Sequence, residues 1–307
     1  MKLEFLPQEK GFLGMDAKEM GNPENAQVII IPFGLEKSVS YSGGTSKGPQ
    51  AMIDASSNLE FFDEDLWCEP FREIGIATLK EPKIPIDILE ALNLLENITK
   101  RVIDAGKFPF IFGGEHSITA GSIRPFARMY KDLHILHFDA HADLRDGYDG
   151  EHYSHAAALR RCLDFENVSL TSCAIRNISQ EEIPFLEANR HRINIHWARD
   201  RKKWNIDEII KPLEGKPVYL SFDIDGFDSS LIPATGTPEP GGIFWYDAVK
   251  IIAAAAKKCN IVGADVNELA PIKGFHACDF LAAKLAYKII SLTFLKHKIG
   301  KIYDSLR

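Results

Sequence analysis

The chain has 307 residues, 45% of them hydrophobic and 26% charged, and carries a formal net charge of −7 with a pI near 5.8. That balance allows a large buried core, and with no Lys/Arg stripe interleaved with aromatics it excludes a nucleic-acid surface while remaining compatible with cationic small molecules. Five scattered cysteines (Cys68, Cys162, Cys173, Cys259, Cys278) form no CxxC pair, the start MKLEFLPQEKGFLGMD lacks a basic region followed by an apolar run, and no stretch approaches about 18 consecutive apolar residues, so the expectation is a reduced, cytoplasmic chain with neither secretion nor a membrane span.

In chain order, apolar runs rich in Val, Ile and Phe predict buried strands at 28–33 and 73–79, and helical spacing follows over 86–105. A strand at 108–112 ends in GGEHS at 113–117, and a helix is predicted over 117–130. The strand at 133–138 runs into HFDAHAD, 137–143, and a helix at 154–164 leads to a strand at 168–175. Beyond it lie a helix at 180–189, a strand at 192–197, a helix at 206–213, and a strand at 217–223 that carries SFDIDGFD, 221–228. A helix at 244–258, a strand at 261–266 running into DVNEL at 265–269, and a last helix at about 278–297 complete the series. Such alternation predicts an α/β fold, a three-layer α/β/α sandwich with a mainly parallel sheet of about eight strands. No linker, charge block, internal repeat or low-complexity segment divides it, so one domain over 1–307 is expected.

All four acid- and histidine-bearing motifs fall at the carboxyl ends of predicted strands, the edge at which open α/β sheets bind ligands. Asp139, His141 and Asp143 alternate along one strand and its continuation, and Asp223 and Asp225 along another, so each set is aimed at one side. With His116 they form a hard donor set of four carboxylates and two imidazoles, which suits Mn²⁺ better than the thiolate-rich sites that select zinc. Converging carboxylates repel unless about four positive charges sit among them, which calls for two cations and predicts a less stable apo protein. A purely structural role would leave several buried carboxylates without partners. His116 alone fits a helix cap before Ser117, and His137 reads as a satisfied core histidine. Gly113 and Gly114 are read as a tight turn that brings His116 to the site. Lys257, Lys258 and the basic tail from Lys296 to Lys301 read as solvated surface.

GGEHSIT, DAHAD and SFDIDGFDSSLIPATGTPEPGG resemble the three signatures of the ureohydrolase family, which includes the arginases and agmatinases. The resemblance runs from GGTSKGP at 43–49 through AAKL at 282–285. It implies two Mn²⁺ per chain, one held by His116, Asp139, Asp143 and Asp223, the other by Asp139, His141, Asp223 and Asp225. Asp139 and Asp223 would bridge the ions, and a water between them would become the hydroxide that attacks a guanidinium carbon. Glu268 would orient the guanidinium, Asp143 would accept a hydrogen bond from the hydroxide, and His155 would protonate the departing amine, with His152 near enough in sequence to compete. Two departures from the pattern are Ala156, where a glycine often follows the histidine, and Ser229, where proline is common. Urea and a primary amine would be the products. From agmatine the amine is putrescine, a polyamine-biosynthetic step. Homo-oligomers, often trimers or hexamers, are also implied.

Substrate choice turns on LRDGYDGEHYS at 144–154, an acidic loop with Asp146, Asp149 and Glu151 that is expected to overhang the site and favour a cationic tail, as in agmatine or aminopropylagmatine. Agmatine is the favoured substrate, with aminopropylagmatine and free guanidine as alternatives; Arg145 opposes the acidic-loop argument unless Asp146 and Asp149 neutralise it, and keeps the carboxylate-tailed guanidinobutyrate and arginine open. From other classes, a single-zinc deacetylase of the same fold would lack the roles of His141 and Asp225, and a non-catalytic metal-stabilised binding or assembly protein would not need Glu268.

Overall fold

A computed structural model describes residues 3–300; Lys301, the end of the basic tail, lies outside them. Eight strands form one sheet: β1 (Val28–Phe33), β2 (Ile76–Thr78), β3 (Phe108–Gly113), β4 (Leu133–Phe138), β5 (Val168–Ile175), β6 (Ile193–Trp197), β7 (Pro217–Asp223) and β8 (Asn260–Asn267). Every pairing between them is parallel, in the order β2-β1-β3-β8-β7-β4-β5-β6. All residues of β1, β3 and β4 are buried, as expected of parallel strands covered on both faces.

Helices provide that cover. In α1 (Gly48–Ser56), Met52 and Ile53 face the core. The helix α2 (Ile88–Asp104) starts where Asp87 accepts a hydrogen bond from the Glu90 amide at 2.8 Å, and its buried Ile88, Ala91, Leu92, Leu95, Ile98 and Val102 recur at the spacing of one helical face. They pack on Ile29, Ile31 and Ile111 of the sheet. The helices α3 (Trp245–Lys258) and α4 (Ala277–Phe294) cover the other face with Ile251, Ile252, Leu285 and Ile289.

Prolines account for most of the departures from the predicted helices. The predicted helix at 117–130 is a 3₁₀ turn, His116–Ile118, and two short helices, Thr119–Ser122 and Arg124–Met129, with Pro125 restarting the last. Pro184 and Pro212 likewise open new turns inside the predicted helices at 180–189 and 206–213. A proline ring blocks the preceding helical turn and has no N–H to donate, yet fits a first turn. The strand expected from 73 begins only at Ile76, because Gly75 takes φ 66° at the end of the short helix Pro70–Ile74. The helix α1 begins at the end of GGTSKGP and runs beyond it to Ser56, with no counterpart among the helices predicted from the sequence.

The sheet order has one consequence for chemistry. The adjacent central strands β3, β8, β7 and β4 are the four that end in GGEHS, DVNEL, DID and DAHAD. Their ends are level, with Phe112 opposite Val266, Asp223 opposite Asn267, and Phe138 opposite Phe222.

Candidate active site

Each motif leaves its strand in a different way. Asp139, His141 and Asp143 lie just past the end of β4, where the chain bends at Ala140 and pairs with the segment after β5 through the bridge between His141 and Asn177. Asp143 then turns it with φ 53°. Strand alternation between Asp223 and Asp225 does not hold, because β7 ends at Asp223 and Asp225 sits in the 3₁₀ turn Ile224–Gly226. The turn forms because Asp223 Oδ1 accepts the Asp225 amide at 2.8 Å, and it brings Asp225 Oδ1 to the Ala140 amide at 2.9 Å.

Gly113 and Gly114 act by close approach rather than by a left-handed turn, since neither has positive φ. A Cβ on Gly114 would sit 2.1 Å from the Leu35 carbonyl oxygen, and one on Gly113 would sit 1.9 Å from Asn267 Oδ1. Gly114 also accepts the Glu268 amide at 2.8 Å, and the His116 amide donates to Glu268 Oε1 at 2.6 Å. The ends of β3 and β8 are thereby joined. Glu268 takes φ 65°, an uncommon conformation for a non-glycine residue, and its position is set by these two bonds.

The six predicted ligands converge. His116 Nδ1 lies 3.0 Å from Asp143 Oδ2, 3.1 Å from Asp139 Oδ2 and 3.4 Å from Asp223 Oδ2, yet it makes no hydrogen bond. His141 Nδ1 lies 3.0 Å from Asp225 Oδ2 and 3.5 Å from Asp139 Oδ1. Asp139 therefore gives one oxygen to each group. His137 also approaches Asp139 Oδ2, at 2.9 Å, and could be taken with His116 and Asp139 for a ligand group of its own. Its other ring nitrogen is 3.0 Å from Ser172 Oγ, so both nitrogens are engaged and the ring orients Asp139.

Electrostatics follow from this crowding. Burial, then the charges of Asp225 and Asp139, push Asp223 well above the usual carboxylate range, and burial with Asp139 pushes Asp143 up to about 7. Burial opposes charge on the imidazoles, yet Asp139 and Asp143 raise His116, and Asp225 with Asp139 raises His141 to about 12. Against burial, contacts from His116, His137 and His141 hold Asp139 well down. Burial raises Glu268, with a further contribution from Glu115. The cluster thus demands positive charge. A buried imidazole nitrogen within 3.4 Å of three carboxylate oxygens is a donor set that fits a divalent cation in place of a proton.

The cluster floors a cleft of about 320 Å³ whose lining includes His155, Glu268, Tyr41, Tyr148, Arg145 and Glu182. His155 opens the turn His155–Ala157, with its amide 2.8 Å and its Nδ1 3.2 Å from Ser38 Oγ, and Ser38 donates to the buried Glu115 at 2.9 Å. Burial and the charges of His141 and His116 lower His155 to about 4. His152 lies outside the cleft, against Arg161.

The loop at 144–154 borders the cleft through Arg145 and Tyr148, but its acidic residues point elsewhere. Asp146, Asp149 and Glu151 do not line the cleft, and Asp146 pairs with Arg161 at 2.6 Å. Arg145 does line it, neutralised by Glu181 at 2.9 Å rather than by Asp146 or Asp149. Beyond the six ligands the cleft holds two carboxylates, Glu268 and Glu182, the latter buried with its oxygens accepting from the amides of Leu144 at 2.8 Å and Ser179 at 2.6 Å. Sequence reasoning missed Glu182 because nothing nearby marks it except the Ser179-to-Glu182 capping spacing.

Comparison with known proteins agrees with this geometry. A family model described as the arginase family matches residues 26–291. The chain is 35% identical over 298 residues to an N(1)-aminopropylagmatine ureohydrolase of Synechocystis sp., covering 94% of this chain and 95% of that protein. It is 34% identical to an agmatinase of Bacillus anthracis, over 81% and 85% of the two chains. Among solved structures, an agmatine ureohydrolase of Thermoplasma volcanium superposes with a TM-score of 0.83 at 30% identity, covering 95% of this chain and 96% of that one.

Proposed function

Because the chain belongs to the arginase family and is a ureohydrolase acting on guanidino groups, we propose that it cleaves agmatine, or the similarly amine-tailed aminopropylagmatine, to urea and a primary amine, using two Mn²⁺. The observation that carries this reading is the sharing of Asp139 between two ligand groups at the floor of a cleft that also holds Glu268 and His155. His116, Asp139, Asp143 and Asp223 would hold one cation, and Asp139, His141, Asp223 and Asp225 the other. When bound, the two dications supply a water of lowered pKa as the nucleophile.

The remaining work falls to the protein. Glu268 Oε1 is occupied by the His116 amide, which leaves Oε2 to accept a charge-assisted hydrogen bond from the guanidinium and hold its carbon over the cluster. A new C–O bond forms from water to that carbon, and the C–N bond to the tail breaks. His155 is neutral at pH 7 and turns Nδ1 to Ser38, so its Nε2 is free to take a proton from the attacking water and deliver it to the leaving nitrogen. Products are urea and the amine.

Glu182 supports a cationic tail, since its carboxylate lines the cleft and its two hydrogen bonds come from neutral amides. Arg145, already paired with Glu181, gives less support to a carboxylate tail. Relatives named for agmatine and for aminopropylagmatine stand almost level in identity, so both amines remain within the proposal. Urea release by Mn²⁺-loaded protein on agmatine, aminopropylagmatine, arginine, guanidinobutyrate and guanidine tests it. Preference for an amine-tailed compound is expected. Preference for a carboxylate-tailed one overturns the tail assignment, and no urea from any of them, with two metals bound, overturns the reaction.

A further inference from the structure

Behind His116, on the side away from the cleft, the buried carboxylate of Asp265 accepts four hydrogen bonds. Ser221 Oγ and Asn267 Nδ2 each donate to Oδ1 at 2.7 Å, and Tyr219 Oη and Thr119 Oγ1 donate to Oδ2 at 2.8 and 2.9 Å. All four donors are neutral, and Asp265 makes no salt bridge among the described residues. Ser221 also lies 2.9 Å from His116 Nε2.

These bonds can run in only one direction. An ionised carboxylate accepts and never donates, so the single Ser221 proton is committed to Asp265. The Ser221 oxygen must then accept from His116, which requires the imidazole proton on Nε2. What remains on Nδ1 of the neutral ring is a lone pair, directed at the oxygens of Asp139, Asp143 and Asp223. The opposite tautomer would put two lone pairs face to face at Ser221 and spend a proton where the cluster needs a cation. We propose that Asp265, acting through the Ser221 hydroxyl, is a positioning residue that holds His116 in the tautomer able to ligate a cation. Asp265 touches neither the cleft nor the cluster, and works only through what it does to His116. A hydrogen-bonded acceptor on the far nitrogen of a ligating histidine fixes its tautomer and orientation and raises its basicity, and losing one typically lowers metal affinity about 10–100-fold.

The proposal rests on the reading of His116 as a ligand, and the test separates the two. Mn²⁺ is titrated calorimetrically into metal-free wild type, Ser221→Ala, Ser221→Thr and Asp265→Asn, with the melting temperature of each recorded. Expected is two-site binding in wild type, a loss of about 10–100-fold at one site in Ser221→Ala with the other nearly unchanged, and recovery of most of that loss in Ser221→Thr, which restores the hydroxyl. Asp265→Asn is expected to weaken the same site. Since Ser221→Ala removes a single oxygen, it remains informative if Asp265→Asn does not fold. A general packing role would instead lower the melting temperature and weaken both sites together, without rescue by threonine, and that result overturns the proposal, as does a Ser221→Ala titration identical to wild type. Wild type binding fewer than two Mn²⁺ would overturn the reading of the centre itself.

Discussion

Glu268 combines a positive φ with one oxygen engaged by the His116 amide, just past the end of β3, and in the proposed function its other oxygen takes the guanidinium. Glu268→Gln retains size and an acceptor for the His116 amide while deleting the charge. It is expected to lower kcat/KM by about 100-fold or more in a urea-release assay while the protein still binds two Mn²⁺. His155 and His152, three positions apart, differ in what surrounds them: one lines the cleft with its Nδ1 at Ser38, the other packs on Arg161. Accordingly, His155→Ala should reduce kcat by about 100-fold or more, and His152→Ala by far less. The reverse ranking, with metal content intact, would move the proton-transfer role to His152. At this scale the sequence was legible where residue type implies chemistry, as with the six convergent side chains. It was silent on Glu182, whose charge matters only because the fold turns it into the cleft.

Elements show how rigid strand ends are made from local rules. Parallel strands of Val, Ile and Phe were readable because burial on both faces leaves a continuous apolar run, as in VIII of β1. Their boundaries shifted at Gly75 and at the 3₁₀ turn after Asp223, where one residue's conformation or one side-chain cap redirects the chain. The helix α4 has its own anchor: Lys288, 2% exposed, lies 2.9 Å from both oxygens of Asp63 and 2.7 Å from Asp65, fastening the helix to the 63–68 turn. Lys288→Met would leave Asp63 buried without a counter-charge, and a destabilisation of about 3–5 kcal/mol is expected from urea denaturation. Unchanged stability would mean that water reaches Asp63 once the lysine is gone. No pattern in the sequence pairs these two residues.

For the molecule as a whole, the cation-free cluster should make stability depend on pH with a definite sign. Asp143, ordinarily near 3.8, keeps its proton in the folded protein up to about 7, so folding binds the extra proton between those values and stability falls as pH rises through them. His141, ordinarily near 6.5 and raised to about 12, contributes stability that is complete below 6.5 and is lost as pH rises toward 12. Both act in the same direction, whereas burial lowers His155 to about 4 and His134 to about 3, and these neutral imidazoles add stability as pH rises to about 6.5. Above that only the raised groups still titrate, and the melting temperature of metal-free protein is expected to fall from pH 7 to pH 9. In the proposed centre Mn²⁺ would take the place of those protons, so the rise in melting temperature on adding it should be larger at pH 8 than at pH 6. Scanning calorimetry with and without chelator checks both slopes, and a metal-free protein that gains stability over that range would contradict them. The sequence by itself determined the strands, the parallel α/β class and the donor types, because hydrophobic runs and side-chain chemistry are local properties. Only the tertiary structure decided that β3, β8, β7 and β4 lie side by side, that Asp139 divides its oxygens between two groups, and that Ser221 stands between Asp265 and His116. Those are distances between segments far apart in the chain, and they exist only once the sheet order has brought the strand ends together.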